Sequence, residues 1–156
     1  AAPRLREVID QFDSSFERIT IRYLPFCLME GYERYIANCP QIQYDPDEWD
    51  YFWRSYFRRS LPVWMTAIIG GFFLHPAPSR FFKLDLRTAL REAVIWSIIT
   101  VNKVKPPPCR RCRYYPVCDG LWRGYADRFG FQELNPVEGE KVTDPAFVFS
   151  SERSDG

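Results

Sequence analysis

Three cysteines, Cys109, Cys112 and Cys118, stand inside ten residues of "KPPPCRRCRYYPVCDGLWRGY", directly after Pro106, Pro107 and Pro108. Consecutive prolines remove backbone donors and hold the chain extended, so regular structure stops here and the thiols belong to a loop. Gaps of two and five residues between thiols let one such loop wrap a metal centre and supply three of its ligands. Unrelated buried thiols explain the pattern poorly, because the neighbours are prolines and arginines rather than an apolar run. Disulfides are disfavoured by the odd count of five cysteines. They are disfavoured also by "AAPRLREVIDQFDSS", which has neither the basic nor the apolar region of a secretion signal, so a reducing cytoplasm is the expected compartment.

Four thiolates suit tetrahedral zinc and an iron-sulfur cluster alike. Zinc sites tend to repeat a close pair, whereas this loop has one close pair and a single further cysteine, and the one histidine, His75, has no second His beside it. A thiolate-bound cluster carries net negative charge, which Arg110, Arg111 and Arg113 can offset while loop amides hydrogen-bond its sulfurs. The competing reading of these arginines is an ordinary solvated loop. The fourth ligand must be Cys27 or Cys39. Cys27 is favoured because it follows a predicted strand, where ligands gather in mixed α/β folds, while Cys39 ends a predicted helix and reads as a buried thiol.

Along the chain, Leu5, Val8, Ile9 and Phe12 recur at helical spacing, and "ERITIRYL" alternates Ile19, Ile21 and Tyr23 against polar residues, as a half-buried strand does. Pro25 ends the strand, and "LMEGYERYIANC" predicts a short helix interrupted near Gly31. Residues 44–74 are rich in aromatics and arginines with helical periodicity. Their apolar run from Leu61 is broken by Pro62, Gly70 and Gly71 and is too short for a bilayer, so no membrane partner is expected. Asp85 is placed to cap a helix through about Val101, and Asp119 to cap "GLWRGYADRF", which Gly130 ends. Trp122 and Tyr125 then fall next to the metal, as core or as a shield against water. The expected class is mixed α/β with more helix than strand.

With 46% hydrophobic residues in 156, the chain can bury a real core, and its 21 basic against 20 acidic side chains give no positive field for a nucleic-acid partner. Trp53, Arg54, Tyr56, Phe57, Arg58 and Arg59 could stack on single strands, but an amphipathic helix with its aromatics in the core explains them better.

The stretch Cys109 to Gly139 resembles the C-terminal region of radical S-adenosylmethionine (radical SAM) enzymes. There a Cys-x2-Cys-x5-Cys loop precedes a glycine, an aromatic helix ending in "FG" and an "EL-x-P" segment. "RYLPFCLMEGYERYI", Arg22 to Ile36, is similar to the last barrel strand and following turn of such proteins. The resemblance implies residues 1–26 as the last helix-strand unit of a partial (β/α) barrel, and 27–156 as an auxiliary-cluster domain. Departures matter as well. The full two-cluster arrangement has a cysteine where Trp122 stands and a closing cysteine that is missing, which leaves one [4Fe-4S] cluster on Cys27, Cys109, Cys112 and Cys118. The Cys-x3-Cys-x2-Cys motif for the catalytic cluster and S-adenosylmethionine is also absent, so the resemblance places both in a preceding part of a longer polypeptide. The implied partners are a peptide or small-molecule substrate and a reductant such as ferredoxin or flavodoxin. The rival from another class is a zinc-binding structural or interaction module without catalysis.

Overall fold

The computed structural model describes residues 2–57, 61–74 and 84–150. The chain divides into two compact units, one formed by Ala1–Gln41 with Lys105–Gly156 and the other by Ile42–Val104. His75, the connector "HPAPSR", Arg58, Arg59 and the tail 151–156 lie outside the described residues.

In the first unit, α1 (Ala2–Phe12) is the helix that the spacing of Leu5 and Ile9 predicts. Its buried stripe is narrow: Ile9 is enclosed and Leu5 packs on the core, while Val8 and Phe12 are exposed. The predicted strand shortens to β1 (Ile21–Arg22), because Tyr23 adopts φ 64°, a left-handed conformation that ends extended pairing. It pairs in parallel with β2 (Ile36–Ala37), Ile21 opposite Ile36 and Arg22 opposite Ala37. The helix predicted from Leu28 to Cys39 does not form. Single helical turns at Phe26–Leu28 and Glu33–Tyr35 flank Gly31 at φ 84°, and the buried Ile36 is drawn into the strand pair. Two-residue strands also occur at Lys103–Val104 and Leu121–Trp122. The chain is helix-rich with a few short strands, and among the described residues no barrel is formed.

Four-residue α2 (Cys39–Ile42) begins with a reciprocal arrangement. The Gln41 amide donates to the Asn38 carbonyl, and the Asn38 amide donates back to Gln41 Oε1 at 3.2 Å. The core around it joins Ile9, Phe26, Met29, Tyr35 and Ile36 to Cys112, Tyr114 and Val117 of the cysteine loop and to Val148 near the chain's end.

The second unit holds α3 (Pro46–Phe57), α4 (Leu61–Leu74) and α5 (Leu86–Asn102). Asp45 Oδ1 accepts from the amides of Asp47 and Glu48 at 3.1 and 3.2 Å, and Pro46, with no amide to lose, takes the first helical position. Arg91 lies 4.8 Å over the ring of Trp49. The apolar run predicted to be broken is one continuous helix. Pro62 falls in the first turn, where a missing donor is tolerated, and Gly71 removes the side chain where α4 meets α5. A Cβ on Gly71 would stand 1.6 Å from the Ala93 carbonyl oxygen. Asp85 caps α5 as expected, accepting from Thr88 N at 3.1 Å, and hydrogen bonds from the Thr88 side chain and then its backbone amide hold the Asp85 carboxyl below the ordinary range. No helix among the described residues is long and apolar enough to cross a membrane.

Candidate metal centre

The prolines do not stop regular structure as expected: Pro106 is extended, but Pro107 and Pro108 open a helical turn, Pro107–Arg111, because proline lacks only a donor that a first turn does not need. The turn is tied by Cys109 N to Pro106 O and by Cys112 N to Cys109 O, both 2.9 Å. Cys118 N closes the next turn on Tyr114 O at 2.8 Å, and Gly120, at φ 83°, lets the chain leave with its amide directed at Cys118 Sγ, 3.4 Å away. The later segment fixes this loop from outside. Arg113 N donates to Val137 O and Val142 N to Arg113 O, while Lys141 Nζ bridges the carbonyls of Arg110 and Cys112 at 2.7 and 2.8 Å.

On the other side of the cavity stands the turn after β1. Pro25 accepts from Leu28 N, and Cys27 sits inside the turn Phe26–Leu28. Tyr114 links the two sides: its ring lies 5.3 Å from that of Phe26 and its hydroxyl donates to Glu33 Oε1 at 2.5 Å. The outcome is one small cavity of about 20 Å³ lined by Cys27, Cys109, Cys112 and Cys118, with Pro25, Tyr115 and Leu134 among the apolar walls. Cys39, the other candidate for fourth ligand, lies elsewhere in the core, fully buried, its amide donating to Asp119 Oδ2 at 3.3 Å.

Burial raises the pKa of three of these thiols. Burial, reinforced by charge on Cys118, Cys112 and Cys109, pushes Cys27 up to about 12. Burial with the neighbouring Asp119 pushes Cys118 up to about 11, and burial together with Cys112 raises Cys109. All five cysteines are free thiols. Among the described residues no group of three or more His, Cys, Asp or Glu side chains is arranged to hold a metal ion. The donor set still fits a thiolate-bound centre, because four thiols from two distant segments share one apolar enclosure and a loop amide already points at one sulfur. Loading it must displace protons held tightly by burial.

The cation at this cavity is not one of the expected arginines. Arg110 and Arg111 are exposed, and Arg113 lies 5.3 Å from the Tyr114 ring centre. Lys105 lines the cavity instead, its Nζ donating to Tyr115 O at 2.7 Å and standing 4.5 Å from the Tyr115 ring centre. Burial lowers its pKa, and charge on Cys118, Asp119, Cys109 and Cys112 works against that fall. The sequence signal for Lys105 is its place directly before Pro106, which is extended, and the turn opened by Pro107 and Pro108.

Two other expectations move. Asp119 is not a helix cap: it is fully buried on the Cys39 amide, and α6 (Arg123–Phe129) starts later, without a side-chain cap. Gly130 does end that helix, at φ 73° with its amide on Ala126 O. Trp122 and Tyr125 line a neighbouring larger cavity rather than the one holding the thiols. Comparison with known proteins returned no matching family model, no matching curated protein and no matching solved structure.

Proposed function

We propose that this chain binds one auxiliary [4Fe-4S] cluster through Cys27, Cys109, Cys112 and Cys118 and serves as the auxiliary-cluster region of a radical SAM enzyme. The observation that carries the proposal is the meeting of Cys27 with the three loop cysteines at one enclosed cavity that excludes Cys39. Spacing alone left the fourth ligand open between these two. In this reading α1 and β1 are the last helix-strand unit of a (β/α) barrel. The cluster that cleaves S-adenosylmethionine is then supplied from outside these residues, which contain no Cys-x3-Cys-x2-Cys. A peptide or small-molecule substrate and a ferredoxin- or flavodoxin-type reductant complete the system.

When bound, such a cluster supplies one-electron transfer or a ligation point for substrate. The chain's own residues do the rest. Cys109, Cys112 and Cys118 would supply three ligands from one loop, and Cys27 would supply the fourth from the turn after β1. The Gly120 amide directs a donor at Cys118 Sγ, Lys105 offsets negative charge, and Pro25, Tyr115 and Leu134 keep water out.

One observation favours a second reading, a zinc site without catalysis: the cavity of about 20 Å³ is closer in size to a single ion than to a cluster, which would need the four thiols to spread further. Anaerobic purification decides between them. Brown protein with about four iron and four sulfide per chain supports the cluster; colourless protein with stoichiometric zinc supports the ion and overturns the proposal.

A further inference from the structure

We infer that the chain carries a second site, separate from the thiol cavity, for a ligand with a flat aromatic body and a cationic nitrogen donor. A cavity of about 420 Å³, within the size range of small-molecule sites, lies wholly inside the unit formed by Ala1–Gln41 and Lys105–Gly156. Its apolar walls include Leu5 of α1 and Leu24 and Leu28 after β1. Its aromatic wall is Tyr23 set edge-on to Trp122, ring centres 5.6 Å apart.

Tyr23 is the residue that makes this wall unusual. It is the one non-glycine with positive φ among the described residues, at 64°, a conformation that a bulky L side chain disfavours. Its amide is held there by Ala37 O at 3.1 Å. Backbone strain of this kind persists where surrounding structure over-determines a side chain's position, and it concentrates at ligand sites.

The polar end has a definite sense. Tyr125 donates its hydroxyl proton to Glu133 Oε2 at 2.9 Å, so the carboxylate is an acceptor and carries negative charge at the cavity. A ligand group reaching it must donate, gains from positive charge, and is repelled if anionic. Glu133 is exposed, so the charge contributes selection more than affinity, and the aromatic walls carry the affinity. Pro25 lines this cavity and the thiol cavity alike, which places the ligand next to the four cysteines. The inference does not rest on the cluster, since every wall of the site is protein.

The test uses the whole 156-residue chain, metal-free, with two probes of matched body and opposite charge, phenethylamine and 3-phenylpropionate, titrated by NMR chemical shift. Phenethylamine is expected to bind at about millimolar strength and 3-phenylpropionate about fivefold more weakly or worse. Glu133→Gln should bring the two within about twofold of each other, and Trp122→Leu should weaken the amine about tenfold. Equal binding of the two probes to the wild-type chain, no binding of either, or a Glu133→Gln variant that keeps the full preference would each overturn the inference. Glu133 lies on the surface, so its variant keeps the fold and decides the matter even where Trp122→Leu does not fold. A chain that binds the amine but never holds iron would sink the cluster proposal and leave this one standing.

Discussion

Gln41 is the side chain through which the cysteine loop is most exposed to a single substitution. It is fully buried, and its amide makes three hydrogen bonds of 3.2 Å: Nε2 donates to Val117 O and to Pro145 O, and Oε1 accepts from Asn38 N. One side chain thus holds the start of α2, the residue before Cys118 and the segment that leads into α7 (Phe147–Ser150). Gln41→Leu keeps the volume and strands two carbonyls and one amide. At about 1 to 3 kcal/mol for each buried group left unpaired, less what relaxation and water recover, the loss is about 3 kcal/mol, a large fraction of the 5 to 15 kcal/mol that holds a typical domain together. Gln41→Glu is worse at neutral pH, because it keeps the bond from Asn38 but turns a carboxylate toward two carbonyl oxygens. It should regain stability as the pH falls and the carboxyl, raised by burial, acquires a proton to donate. Urea unfolding at pH 7.5 and pH 5 reads both effects. A Leu variant within 0.5 kcal/mol of wild type, or a Glu variant as stable as wild type at pH 7.5, would refute the argument that these three bonds organise the loop.

Neighbouring glycines of α4 should respond in opposite senses. Gly71→Ala meets the Ala93 backbone at 1.6 Å and should destabilise by about 3 kcal/mol or more, whereas among the described residues a Cβ on Gly70 finds only Ser97 Oγ at 3.7 Å and Gly70→Ala should stabilise by about 0.5 to 1 kcal/mol; thermal unfolding of the pair checks this. Cys27→Ser, Cys109→Ser, Cys112→Ser and Cys118→Ser should each remove most bound iron while Cys39→Ser keeps it, and iron and sulfide assays showing the reverse for Cys27 and Cys39 would reject the ligand set. Lys105→Met should shift the centre's reduction potential in the negative direction and Lys105→Arg should restore it, since a nearby cation favours the more negative reduced state; equal potentials in an EPR-monitored titration would remove Lys105 from that role. In the metal-free chain, Cys27 and Cys118 keep their protons above the ordinary thiol value of 9.0, up to about 12 and about 11, so the folded state binds more protons than the unfolded one in that window. These two thiols should therefore contribute no pH dependence below pH 9 and a loss of stability as pH rises from about 9 to 11, and a urea midpoint that climbs over this range would contradict the burial of the thiols.

What could be read in advance follows the range of the interactions involved. The spacing of Cys109, Cys112 and Cys118 is local and Asp85 caps its helix through a residue three positions on, so both were legible from a short window, whereas the prolines expected to stop regular structure open the helical turn Pro107–Arg111. Tertiary contacts overrode the rest. Ile36 looked helical in "LMEGYERYIANC" yet pairs with Ile21, and Asp119 had the chemistry of a cap but is taken by the Cys39 amide from far along the chain. Asp45 followed by Pro46 was a legible helix start that the aromatic density of the next residues obscured. The same distinction explains the site. Three ligands are a property of one loop, whereas choosing Cys27 over Cys39 needs the turn after β1 brought against that loop, through the core of Phe26, Tyr114 and Val117. Lys105 belongs to the local class, although three arginines close by in the sequence carry more formal charge. Yet an arginine inside the loop can turn its long side chain to solvent, as Arg110 and Arg111 do, while Lys105 is held at the cavity by the bond from its Nζ to Tyr115 O. Charge near a centre is therefore better sought where the chain has no freedom to carry it away.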